Sequence, residues 1–147
     1  MDLPPGSELA DFMRVALAHG DAAGRAGELP VGAVLVIDGE VVAAGRSRIV
    51  ERGSVLAHAE LEALTAAGAR LRDRTDAVLV TTVEPCLMCL GAVVRTGVAH
   101  VVFAVSNRSA GMAMVTALPS VRTYIGGVLE ADARDLFARY APSFGLR

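Results

Sequence analysis

The spacing of apolar positions changes repeatedly along the chain, and each change marks an element. Leu9, Phe12, Met13, Ala16 and Leu17 recur at helical spacing, which predicts an opening helix with Ser7 as its N-cap and Gly20 and Gly24 at its end. Val31 to Ile37 is a continuous apolar run rich in β-branched residues and reads as a strand. Asp38-Gly39 follows. Both positions tolerate positive φ, so the pair predicts a two-residue hairpin turn into a second strand at Val41 to Ala44. Gly45 to Ala57 reads as a loop. His58 to Ala67 is predicted helical, with Leu61 and Leu64 as its apolar stripe and Gly68 as its stop. Ala77 to Thr81 is a third strand, Cys86 to Thr96 a helix stopped by Gly97, Ala99 to Val105 a fourth strand and Val121 to Ile125 a fifth. A short helix is expected around Met112 to Leu118, and an amphipathic helix from Ala131 to Tyr140 closes the series.

Strands that alternate with helices imply an α/β fold, a mixed sheet covered on both faces. The Asp38-Gly39 hairpin makes one pair antiparallel, and the later crossovers favour parallel pairing. There is no internal repeat and no linker, so residues 1–147 are expected to form one domain, which the length also suits.

Composition narrows the function classes. Apolar residues make up 53% of the chain, so burial can drive folding without disulfides. No apolar run approaches the ~18 residues of a membrane helix. The N-terminus lacks the basic and apolar regions of a secretory signal, so a cytoplasmic protein is expected. The net charge is −2, and all 14 basic residues are Arg. They are spread along the chain without a basic tail, so strong nonspecific nucleic-acid binding is not indicated.

The chemistry concentrates in two short segments. Cys86 and Cys89 stand at i and i+3 and share a face of a helix. Pro85 precedes them where its missing N–H costs little. Thiolates at a helix N-terminus are stabilised by its amides and dipole, which suits them to zinc. Two sulfurs do not complete a tetrahedral site. His58 is the best third ligand, since of the three histidines it alone opens a helix two residues from a carboxylate, whereas His19 ends a helix and His100 opens a strand. Glu60 lies about 200° around the helix from His58, a position that suits a general acid–base better than a fourth ligand. One His and two Cys leave a coordination position open for water, as in a catalytic rather than a structural zinc site. The C-x-x-C pair could instead serve thiol redox chemistry, which would leave His58 and Glu60 without a role.

H-x-E followed by P-C-x-x-C is the signature of the zinc deaminases, and here it reads His58-Ala59-Glu60 and Pro85-Cys86-Leu87-Met88-Cys89. The chain resembles the cytidine and deoxycytidylate deaminase superfamily, with greatest likeness to its tRNA adenosine deaminase and guanine deaminase branch. Glu28 to Val36, Val83-Glu84 and Gly127-Val128-Leu129 extend the likeness across nearly the whole chain. The resemblance implies a three-layer α/β/α sandwich with a five-stranded mixed sheet, usually a homodimer. It implies one Zn2+ per chain on His58, Cys86 and Cys89, and hydrolytic release of ammonia from an amino-bearing ring carbon. Glu60 would take a proton from the attacking water and return protons to the ring nitrogen and the leaving amine. Glu28, Leu29 and Val83 fall where the family lines its base pocket, and the backbone at Ala59 and Cys86 would hold the ring's polar edge.

Several positions depart from the tRNA-editing branch. Ser47 stands where those enzymes carry Asn, and Ser54-Val55-Leu56-Ala57 where they carry Asp-Pro-Thr-Ala. Ser106 to Gly111 lacks their Lys-containing loop. Such changes in polar contacts move specificity more than changes of apolar shape do. The expected substrate is therefore a small aminated heterocycle, base or nucleoside, with Ser47 among its contacts. The alternatives are an anticodon adenosine in tRNA, bound through Arg46, Arg48, Arg52 and Arg108, and a non-catalytic zinc-binding scaffold.

Overall fold

A computed structural model describes residues 3–108 and 118–147. Its elements in chain order are α1 (Gly6–Arg25), β1 (Gly32–Ile37), β2 (Glu40–Arg46), α2 (Ile49–Arg52), α3 (Ala59–Ala67), a 3-10 turn (Gly68–Leu71), β3 (Val78–Val83), α4 (Leu87–Thr96), β4 (His100–Val105), β5 (Thr123–Ile125) and α5 (Glu130–Tyr140). The short helix expected around Met112 to Leu118 falls on residues 112–117, outside the described residues.

The strands form one mixed sheet in the order β2-β1-β3-β4-β5. β1 pairs antiparallel with β2 and with β3, whereas β3–β4 and β4–β5 are parallel. The hairpin turn is as the sequence predicts, with Asp38 at φ 53° and Gly39 at φ 76°. β1, β3 and β4 are buried along their whole length, which explains why they read as unbroken apolar runs rather than alternating ones.

Two glycines show how the helical layers are arranged. A Cβ on Gly32 would collide with the Ala16 carbonyl of α1, and one on Gly45 with the Ala59 carbonyl of α3. Gly45 pairs with Ala33, the residue after Gly32. Successive strand positions face opposite sides of a sheet, so α1 and α3 cover opposite faces. α5 packs beside α1, and α4 beside α3, which completes a three-layer α/β/α sandwich.

The first helix differs from its expected form. It starts at Gly6 after Pro5 rather than at a Ser7 cap, and it runs through Gly20 and Gly24 to Arg25. These two glycines allow close packing and do not end the helix. A Cβ on Gly20 would lie 2.9 Å from the Pro30 carbonyl oxygen, and one on Gly24 would strike the Tyr140 ring of α5. The break comes after Ala26, at Gly27, where φ is 82°. The stretch expected as loop from Gly45 also holds more structure, because β2 extends to Arg46 and α2 forms one short turn.

Candidate active site and metal centre

Two helix N-termini meet beyond the carboxyl end of β3. His58 is the N-cap position of α3 and Cys86 that of α4, and both have extended backbone. Cys89 lies in the first turn of α4. The two cysteines therefore do not both sit on the helix, yet their sulfurs converge on one imidazole. His58 Nδ1 lies 3.7 Å from Cys86 Sγ and 3.6 Å from Cys89 Sγ. Zinc bonds of ~2.3 Å to sulfur and ~2.0 Å to nitrogen, opened to a tetrahedral angle, give ligand-to-ligand edges of about 3.6 Å. The spacing and the donor set both fit zinc, and among the described residues this is the one grouping of three His, Cys, Asp or Glu side chains that could hold a metal ion.

Glu60 is almost fully buried beside these residues. Thr81 Oγ1 donates to its Oε1 at 3.2 Å, and Cys89 Sγ approaches its Oε2 at 3.6 Å. Burial is the largest effect on its pKa and pushes the carboxyl above its ordinary range; the Cys86 thiolate acts in the same sense and His58 opposes both. The Cys86 thiol is lowered to about 4 by the hydrogen bond from Cys89, with His58 adding to the effect. Cys89 moves the other way, first because it donates that bond and then because it is buried. The hydrogen bond to Cys86 raises the His58 pKa against the opposing effect of burial.

A cavity of about 390 Å3, open mouth included, lies against this cluster. His58, Ala59, Glu60 and Cys86 line it on one side, and Leu29, Ser47 and Val83 from the expected pocket set line it too. Ser47 is 2% exposed, and its Oγ has no hydrogen-bond partner among the described residues. Glu28 is not among the lining residues. Its carboxylate is buried behind the wall and accepts from the Val50 amide at 2.7 Å and the Glu51 amide at 3.1 Å, which caps α2.

The arginines considered as phosphate contacts have protein partners. Arg46 and Arg48 pair with Glu51, and Arg52 reaches Glu62 at 2.9 Å. Arg108 Nε donates to the Leu146 carbonyl at 3.2 Å.

Val31, Ile49, Glu84, Asn107 and Phe144 also line the cavity and have no counterpart in the sequence reading of the pocket. Glu84, fully buried, accepts from the Tyr124 hydroxyl and from the Asn107 amide, both at 3.0 Å. Asn107 lines the cavity and bridges to Leu146. Phe144 reaches the cavity from the segment after α5. No local pattern announces the last two, because the bridge joins residues far apart in sequence.

Residues 7–105 match the family model of the cytidine and deoxycytidylate deaminase zinc-binding region. The chain belongs to this family. It is 43% identical over 110 residues to a tRNA(Ile)-lysidine synthase of Deinococcus radiodurans, a match covering 73% of this chain and 19% of that one. It is 36% identical over 105 residues to a tRNA-specific adenosine deaminase of Streptococcus pyogenes, covering 68% of this chain and 64% of that one. The chain thus spans about a fifth of the first relative and under two thirds of the second. Among solved structures, a tRNA:A34 deaminase aligns with TM-score 0.75 and 29% identity over 86% of this chain and 98% of that one. A guanine deaminase from Nitrosomonas europaea aligns with TM-score 0.78 and 28% identity over 89% and 83%. The family region is zinc-binding, and His58, Cys86 and Cys89 are the residues grouped to hold the ion.

Proposed function

We propose that the chain is a zinc-dependent hydrolase that deaminates a small aminated nucleobase or nucleoside. The observation that carries this reading is the buried Glu60 carboxyl, which lines one cavity together with metal-ligand candidates His58 and Cys86. When bound, zinc supplies Lewis acidity and brings the pKa of a water close to neutrality. The remaining steps fall to the chain. Thr81 holds Oε1 of Glu60, and Oε2, which faces Cys89 Sγ on the metal-ligand side, would carry the proton. Glu60 takes a proton from water as the water oxygen bonds to the amino-bearing carbon, and passes it to the adjacent ring nitrogen. A second proton, from the new hydroxyl, goes through Glu60 to the amine. The C–N bond then breaks, ammonia leaves, and the ring keeps a carbonyl. Ser47 Oγ, with no partner among the described residues, would bond a polar ring edge.

Release of ammonia from a panel of adenine, guanine, cytosine and their nucleosides tests the proposal. Turnover abolished by Glu60→Ala is expected. Zinc bound at one ion per chain with no turnover of any panel member overturns the reading in favour of a scaffold.

A second reading is deamination of an anticodon adenosine, favoured by the names of the streptococcal relative and of the tRNA:A34 neighbour. The pairing of Arg46, Arg48 and Arg52 with carboxylates weighs against a phosphate groove there. Inosine in tRNA after incubation with the protein would favour this reading.

A homodimer is the family expectation. Val50, Val55, Leu56 and Leu87 are all more than half exposed and adjoin cavity segments in sequence. Light scattering after gel filtration measures the state directly. No described helix is long and apolar enough to cross a membrane.

A further inference from the structure

The cavity lining combines buried polar groups with partly exposed apolar side chains. Its buried lining brings four polar side chains, Ser47, Glu60, Glu84 and Asn107, each less than a tenth exposed, together with Val31, Ala59 and Val83. Its more exposed lining includes three apolar side chains from separate segments: Leu29, Ile49 and Phe144. No Arg lines it among the described residues. Buried polar groups beneath partly exposed apolar side chains fit a planar ring that enters edge first.

Phe144 is built into this entrance. Pro142 follows the end of α5, and the Phe144 amide donates to the Ala141 carbonyl at 3.0 Å. The chain then runs back beside the segment that leaves β4. The Arg108 amide donates to the Gly145 carbonyl at 3.1 Å, and the Arg147 amide to the Ser106 carbonyl at 3.0 Å. Asn107 bridges to Leu146 between those bonds and is held from the other side by Glu84. The Phe144 ring rests on Phe137 with centroids 5.0 Å apart. One side of the ring is thus backed by α5, and the ring also borders the cavity. The residue lies beyond positions 7–105, the stretch the family model covers.

We infer that Phe144 is a specificity-determining residue: it stacks on the substrate ring and, with a lining that carries no Arg among the described residues, restricts the site to unphosphorylated planar amino-heterocycles. This rests on the deaminase reading above and deepens it. A fixed aromatic face adds stacking to a base at little conformational cost. A base carried by a polynucleotide brings its phosphates to the same entrance, where Arg46 and Arg48 beside Ser47 are paired with Glu51 and Arg108 beside Asn107 donates to the Leu146 carbonyl.

The test uses the zinc-loaded chain, with a base, its nucleoside and its 5′-monophosphate as substrates. Phe144→Leu keeps apolar bulk against Phe137 and removes the aromatic face, whereas Phe144→Tyr keeps the face. Phe144→Leu is expected to raise KM for the base about tenfold, the size of one lost stacking contact, with kcat changed by less than about twofold. Phe144→Tyr should behave as wild type, and the monophosphate should be the poorest substrate. A KM unmoved by Phe144→Leu, or a monophosphate that is turned over best, overturns the inference while leaving the deaminase reading intact. If no substrate releases ammonia, the deaminase reading fails by itself, and calorimetric titration of the same base onto the zinc-loaded chain decides the inference. Binding weakened by Phe144→Leu and retained in Phe144→Tyr supports it; binding that is absent or insensitive to Phe144→Leu overturns it.

Discussion

Tyr124 donates its hydroxyl to Glu84 Oε1 at 3.0 Å, which ties edge strand β5 to the turn that carries Cys86. Burial, reinforced by the carboxylate it faces, pushes the phenol's pKa up and keeps it a donor. The other carboxylate oxygen takes the Asn107 amide, so one side chain joins the ends of β3, β4 and β5 beside the cavity. Tyr124→Phe leaves Glu84 one donor short and is expected to destabilise the fold by about 1–3 kcal/mol, read as a lower urea midpoint at constant m. An unchanged midpoint would mean that the Tyr124 hydroxyl does not hold Glu84.

Ser47→Ala separates binding from folding. The hydroxyl is buried and has no partner in the described protein, so removing it breaks no internal hydrogen bond. Thermal stability should be unchanged or higher, while KM for the deaminated ring rises by about 2- to 12-fold, the equivalent of one neutral hydrogen bond. A fall in stability with KM unaltered would make Ser47 a structural residue only.

Glu28→Ala tests the capping role against the pocket role expected from the family. The carboxylate accepts from two amides of α2, and α2 begins with Ile49, which lines the cavity. A stability loss of about 0.5–2 kcal/mol is expected, as for a lost helix cap, with KM affected more than kcat through displacement of Ile49. Loss of kcat at full stability would instead put Glu28 in contact with the reacting ring.

The Glu60 carboxyl has a pKa raised by burial above its ordinary 4.5. In metal-free protein the folded state therefore keeps this proton to higher pH than the unfolded chain does. The associated stability is full below about 4.5 and is lost as pH rises through the folded value. Glu60→Gln removes the titration. Metal-free Glu60→Gln should melt higher than metal-free wild type at neutral pH, with the difference closing below pH ~4.5. A melting difference independent of pH would show that burial does not perturb this carboxyl.

Much of the candidate site is local in sequence. His58-Ala59-Glu60 and Pro85-Cys86-Leu87-Met88-Cys89 each open a helix, and an element boundary fixes where their side chains lead. The central strands were equally legible, because full burial on both faces leaves an uninterrupted apolar run. Gly20 and Gly24 misled as helix ends because a glycine admitted for close packing looks the same in sequence as one admitted for positive φ. The capping role of Glu28 was hidden because α2 is a single turn with no periodicity to detect. Phe144 and Asn107 reach the cavity through a bridge between distant segments, a contact set by tertiary packing.

The close approach of helix backbones at Gly32 and Gly45 has a consequence for how this sequence can vary. At both positions a single methyl would meet main-chain atoms, which cannot rotate aside as a side chain can. The two residues act as shims of zero thickness, one on each face of the sheet. Nearly every other core position can trade volume with a neighbour, but these two have no neighbour to trade with. In a saturation library selected for folded protein, both columns should collapse to glycine, however the pocket is redesigned for a new ring.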